Sequence, residues 1–81
     1  MVIGILQLEL TIDGATSLKD KRRVVRSLKD RLHREHQVSV AEVDALDDLR
    51  IARLGIALAT SDVSRCQSIL DTLLAMVGIT N

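Results

Sequence analysis

Residues 2–32, VIGILQLELTIDGATSLKDKRRVVRSLKDRL, decide the fold because the spacing of their apolar residues changes within one short segment. Over residues 2–12 apolar side chains recur at nearly every second position on one face, which is the two-residue period of a β-strand. Asp13 and Gly14 end this strand. The predicted buried face consists of Val2, Leu6, Leu8, Leu10 and Ile12.

A helix is predicted directly after the strand. Ser17, followed three residues later by Asp20, is a variant of the capping box, in which the serine oxygen and the carboxylate accept hydrogen bonds from first-turn amides. The apolar residues then follow a helical period to about Glu35. The predicted buried stripe is Leu18, Val25, Leu28 and Leu32, with Val24 at its margin.

Two further strands are predicted over residues 38–44 and 51–60. The LDDL segment between them, residues 46–49, is too short for any connection other than a hairpin. The side chains predicted to point inward from this hairpin are Val38, Val40, Leu54, Ile56 and Leu58.

A second helix is predicted after residue 60. Ser61 or Asp62 is its expected N-cap, and Gly78 is its expected C-terminal stop. The predicted buried stripe is Val63, Cys66, Leu70, Leu73, Leu74 and Val77.

The predicted order is strand, helix, strand, strand, helix, which defines an α+β fold. It is the beginning of a ferredoxin-like split βαβ arrangement, an antiparallel sheet with both helices on one face. The closing strand of that arrangement, which would lie beside the first, is absent. We therefore expect a single domain over residues 1–81 that is truncated before a last strand, or a partner strand that covers residues 2–12.

The outer face of the predicted sheet is apolar, because small and aliphatic residues occupy the outward positions of all three strands. A second copy of the chain is an expected partner, through this face or through the open edge of residues 2–12. The outward residues are Ile3, Ile5, Ala41, Val43, Ala57 and Ala59.

Length and composition limit the class of protein. Eighty-one residues, 47% of them hydrophobic, are enough for one domain with a modest core. No apolar run is long enough to cross a bilayer, and residues 2–10 lack the features of a signal peptide, so a soluble cytoplasmic protein without a membrane role is expected. The single cysteine, Cys66, cannot form an internal disulfide and is predicted to be a core thiol.

The first predicted helix carries most of the positive charge. Residues 17–36 contain eight of the eleven lysines and arginines but only three acidic residues, although the formal net charge of the chain is zero. At about 100° per residue, the cations form one stripe opposite Leu28 and Leu32. The stripe consists of Lys19, Arg22, Arg23, Arg26 and Lys29.

Two interpretations of this stripe remain open. Cations in a first helical turn oppose the helix dipole, which favours a role in binding phosphate through the side chains and the free amides after Ser17. Alternatively, the stripe is a solvated face on which contacts such as Arg26 with Asp30 reduce the repulsion.

Lys21 is a separate case, since its stem is predicted to lie on the core while its ammonium reaches out or bonds backbone carbonyls.

Several phrases resemble the bacterial YlxP-like family of small domains of unknown function. They are SLKDKR at residues 17–22, SLK at 27–29 with RL at 31–32, VSVAEV at 38–43 and LG at 54–55. The resemblance implies a ferredoxin-like fold and a loose link to RNA or the ribosome. It implies no catalytic residue.

Catalysis is the least expected function. His33 and His36 lack a third metal ligand at a defined spacing, and Glu42, Asp44, Asp47 and Asp48 are typical of a soluble turn. No nucleophile or glycine-rich phosphate motif is present, so neither an enzyme nor a cofactor is predicted. Two hypotheses follow: an RNA- or ribosome-associated protein that contacts phosphates, or a homo-oligomeric interaction domain without a nucleic-acid role.

Overall fold

A computed structural model describes the backbone of residues 1–78 and the side chains of residues 1–76. The elements are β1 (Val2–Thr11), α1 (Leu18–His36), β2 (Ser39–Asp44), β3 (Ile51–Thr60) and α2 (Val63–Gly78). The predicted order of elements is confirmed, and the predicted bounds of β1, α1 and β2 differ by one residue.

The three strands form an antiparallel sheet in the order β1-β3-β2. Ile56 of β3 lies opposite Leu6 of β1 and Val40 of β2, so the apolar faces of all three strands coincide. Both helices cover this face, because Leu32 of α1 and Leu73 of α2 belong to one cluster with Leu8 of β1. The α+β, ferredoxin-like prediction is confirmed. The single domain over residues 1–81 and the absent closing strand stay predictions.

Among the described side chains, the core consists of two adjoining apolar clusters between the sheet and the helices. Each fully buried aliphatic side chain stabilises the fold by about 1.5–3 kcal/mol relative to exposure. One cluster lies between both helices and the sheet and contains Leu8, Leu32, Val38, Ile56, Leu58, Cys66 and Leu73. The other lies beside the first half of α1 and contains Leu10, Val25, Ala52 and Leu54.

The predicted buried stripe of α2 is wrong at two positions. Val63 is 67% exposed and Leu74 is 43% exposed, whereas Ile69 and Met76 pack against the core. A helix turns by about 100° per residue, so the stripe centred on Leu73 includes positions three and four residues away but not its direct neighbour. The predicted burial of Val77 lies outside the described side chains.

The N-terminus of α2 is capped by Asp62, one of the two predicted candidates. Its Oδ1 accepts a hydrogen bond of 2.9 Å from the Ser64 amide, and its carbonyl accepts one of 3.1 Å from the Cys66 amide. The helix includes Gly78, and its predicted role as the C-terminal stop depends on residues outside the described part of the chain. The predicted burial of Cys66 in the core is confirmed.

Close packing of α2 on β1 depends on Gly4. A Cβ atom built at this position would lie 2.5 Å from Cys66 Sγ and 3.1 Å from Leu58 Cδ2. A Cβ atom at these distances would clash unless its neighbours moved. The absence of a side chain at Gly4 therefore lets the helix approach the strand closely.

Candidate phosphate-binding surface

The start of α1 is set by Ser17 and Asp20. Ser17 has an extended backbone, and its Oγ accepts a 3.2 Å hydrogen bond from the Asp20 amide. The Asp20 carboxylate accepts from the amide and the hydroxyl of Thr16, at 3.3 and 2.8 Å. The serine cap is confirmed, but the carboxylate bonds the residue before the cap rather than a first-turn amide.

Four of the exposed cations of α1 lie together on the side that points away from the sheet. All four are exposed, while Val25 and Leu32 on the opposite side are buried. We call this set the basic ridge; it consists of Lys19, Arg22, Arg23 and Arg26.

A surface hollow of about 590 Å³ joins the four residues of the basic ridge, with Ser27 and Asp30 completing its lining. Among the described side chains, no cation of the ridge forms an ion pair with a carboxylate. Arg26 and Asp30 both line the hollow without such a pair. The ridge therefore presents four unpaired positive charges to one concave surface.

Lys29 differs from the other predicted site residues. It is half-buried, and the residues that line the hollow do not include it. At about 100° per residue, Lys29 lies between the ridge and the buried side of the helix. The structure thus brings together four of the five predicted site residues.

Lys21 is buried and belongs to the interior. It is 1% exposed; its Nζ donates a 2.6 Å hydrogen bond to the Ala45 carbonyl and lies 2.9 Å from Glu42 Oε2. The predicted bond to a backbone carbonyl is confirmed, but the ammonium does not reach solvent. A buried ammonium needs such compensation, because its removal from water costs several kcal/mol. Lys21 thereby joins α1 to the β2–β3 hairpin.

Glu42 is the partner that sequence reasoning missed. It stands two residues after Val40 on the inward side of β2, and Lys21 stands on the apolar side of α1. The signal was available in the sequence: the hydrophobic patterns assign both of these opposite charges to the core. Buried charges are normally paired, so the two residues could have been matched.

Asp20 introduces negative charge beside the ridge. Hydrogen bonds from the side chain and backbone of Thr16 lower the pKa of Asp20, and the nearby charge of Arg23 lowers it further. The Asp20 amide already donates to Ser17 Oγ, so it is not free to bind a phosphate group. The first turn therefore has fewer free amides for phosphate than the sequence predicted. The cationic side chains dominate this surface.

The histidines hold structural positions. His33 Nδ1 lies 2.8 Å from the Val38 carbonyl, across the turn that connects α1 to β2. His36 is half-buried, and its Nε2 is enclosed. In the part of the chain that the structure describes, no group of three or more histidine, cysteine or acidic residues is placed to hold a metal ion.

The acidic residues of the β2–β3 hairpin stabilise the turn. The Ala45 amide donates to Asp44 and lowers the pKa of Asp44, an effect that Arg53 reinforces through a 2.9 Å ion pair. Asp48 Oδ1 accepts from the Arg50 amide at 2.8 Å. Ala45 itself has a positive φ of 57°. These contacts give Asp44 and Asp48 a structural role in the loop.

The fold and this surface define a small α+β domain with one cationic helix face. No helix in the described residues is both long and apolar enough to cross a membrane. The chain belongs to the family described as Protein of unknown function (DUF503), whose model matches residues 3–80. It is similar to the uncharacterized protein YlxP of Bacillus subtilis (strain 168), with 30% identity over 76 residues that cover 94% of this chain and 83% of the relative.

Proposed function

We propose that this protein is an RNA- or ribosome-associated binding protein whose basic ridge contacts phosphate groups. One observation carries the proposal: four exposed cations of α1 line one hollow, and none of them forms an ion pair with a carboxylate among the described side chains. Lys21, Arg31 and Arg53 are paired with carboxylates, and the other cations that lack such a pair do not line this hollow. Free cations on a curved surface are suited to phosphate oxygens.

The mode of binding is contact with the sugar-phosphate backbone. The chain contains no aromatic residue, so its sheet cannot stack unpaired bases as open RNA-binding sheets do. Backbone contact carries little sequence information and depends strongly on salt. We therefore propose a binder that recognises charge and shape.

The proposal includes a cytoplasmic location and a role in binding rather than catalysis. Two of the acidic side chains near the hairpin are engaged in ion pairs, Glu42 with Lys21 and Asp44 with Arg53. The basic ridge is the surface on which the proposal rests.

The test compares two triple variants with the same change of charge. Arg22, Arg23 and Arg26 are each replaced by Gln in one variant. Arg31, Arg50 and Arg65, which are exposed and do not line the hollow, are replaced by Gln in the other. Binding to short single-stranded and double-stranded RNA is measured by fluorescence anisotropy. We expect the ridge variant to lose at least about tenfold in affinity and the control variant less than about threefold.

Two outcomes would contradict the proposal. Equal losses in both variants would mean that RNA responds to the overall charge and not to the ridge. No measurable binding by the wild-type protein at low salt would favour the alternative of an interaction domain without a nucleic-acid role.

A further inference from the structure

The outer face of the sheet carries large apolar side chains that the fold leaves in contact with water. Ile3 is 54% exposed, Ile5 is 76% exposed and Val43 is 50% exposed. Ile3 lies opposite Ala59 and Ile5 opposite Ala57, so small residues flank the large ones across the strands.

This face contains both a projection and a hollow. The hollow has a volume of about 290 Å³ and lies over Gly55 and Ala57, between Ile5 and Val43. Gly55 contributes to its shape, since a Cβ there would lie 2.8 Å from Val43 Cγ1. A projecting isoleucine beside an apolar hollow allows a surface to complement itself.

Charged residues limit the apolar area at one end. Arg53 of β3 lies between Glu9 of β1, at 3.8 Å, and Asp44 of β2, at 2.9 Å. This row crosses all three strands and satisfies its charges internally. Packing over the apolar part therefore does not require that these ions lose their partners.

We propose that a second copy of the chain packs on this face around a two-fold axis, with Ile5 of each copy in the hollow of the other. An isologous contact requires a patch that is complementary to itself, and the projection and hollow meet this condition. Two strands of ten residues and one of six, spaced about 4.7 Å apart, present a face of about 400 Å², so both copies together would bury about 800 Å². An area of this size, below the limit of about 1,000 Å² for stable specific interfaces, predicts a weak dimer.

The proposal is independent of RNA binding. Both helices lie on the face opposite to this interface, so the basic ridges of the two copies remain exposed on the outer layers of the dimer. The ridges point in opposite directions, and one dimer offers two separate phosphate-binding surfaces.

Sedimentation velocity over a range of protein concentrations tests the dimer. Ile5→Thr keeps a β-branched residue in the strand but removes the apolar projection. Val24→Thr is the matched control, since Val24 is 47% exposed on α1, away from this face. We expect the wild type and Val24→Thr to dimerise alike, and Ile5→Thr to dimerise at least about tenfold more weakly.

A second variant keeps the test valid if Ile5→Thr fails to fold. Ala41→Lys places a charge beside the hollow on β2, an edge strand of the described sheet where lysine is well tolerated. It is also expected to weaken the dimer, while the triple Gln variant of the ridge is expected to leave it intact. A wild type that stays monomeric, or a dimer that both Ile5→Thr and Ala41→Lys leave unchanged, would overturn the proposal; the latter would indicate pairing through the edge of β1.

Discussion

Lys21 Nζ of α1 lies 2.9 Å from Glu42 Oε2 of β2, and the two side chains are 1% and 13% exposed. Residues 21 and 42 are distant in sequence, so the pair connects the first helix to the hairpin. Because Glu42 Oε2 makes no well-aligned hydrogen bond, the charge of Lys21 is its main compensation. The motif of residues 17–22 thus contains both a structural cation and cations that face solvent.

The ion pair predicts a strong difference between single and double substitutions. Lys21→Met leaves the Glu42 carboxylate buried without a countercharge and should reduce the free energy of unfolding by about 3–5 kcal/mol. Lys21→Met combined with Glu42→Leu removes both charges and should recover most of this loss. Urea denaturation measures the three free energies. A double variant as unstable as Lys21→Met would show that the bond to Ala45, and not the pairing of charges, is the important contact.

The rotation of α2 predicts opposite results at two neighbouring leucines. Leu73 is 0% exposed and Leu74 is 43% exposed. Leu73→Ala should reduce the free energy of unfolding by about 2–5 kcal/mol because it leaves a cavity. Leu74→Ala should cost less than about 1 kcal/mol, since much of the side chain is already in water. Chemical denaturation measures both, and similar losses at the two positions would contradict this orientation of the helix.

Asp20 predicts a loss of stability in acid. Its folded-state pKa lies below the ordinary value of 3.8, because Thr16 donates hydrogen bonds to the carboxylate. The stabilisation is therefore fully present above pH 3.8 and is lost as the pH falls through the lower folded-state pKa. Thermal melting of the wild type and Asp20→Asn between about pH 2 and pH 5 should show a smaller pH dependence in the variant. Asp13→Asn, with the same change of charge in the preceding loop, is the control, and an identical effect there would contradict the role of Thr16.

The basic ridge predicts a particular dependence of RNA affinity on salt. Four phosphate contacts to a single strand should give a slope of about −3 in a plot of log affinity against log salt. The ridge variant with three arginines replaced should have a slope of about −1, because one contact remains. Anisotropy titrations at several salt concentrations measure both slopes. A flat dependence in the wild type would be incompatible with phosphate contact.

Local sequence patterns predicted the elements and most of their buried faces. The alternation in residues 2–12 identified β1, and the capping pair of Ser17 and Asp20 located the start of α1. Such patterns succeed because the period of a strand or a helix determines which side chains share a face. The same argument placed the four ridge cations on one side of α1. It failed for Val63 and Leu74, because the small difference in angle between exposed and buried positions depends on how α2 lies on the sheet.

The sequence by itself determined the order of elements, their apolar faces and the concentration of positive charge on α1, since each follows from the spacing of nearby residues. Only the tertiary structure decided that Lys21 pairs with Glu42, that Lys29 lies outside the hollow of the ridge and that Gly55 lies beneath Val43. These relationships join residues that are distant in sequence, or depend on the exact rotation of a helix against the sheet. They arise from the packing of whole elements, for which local spacing contains no rule.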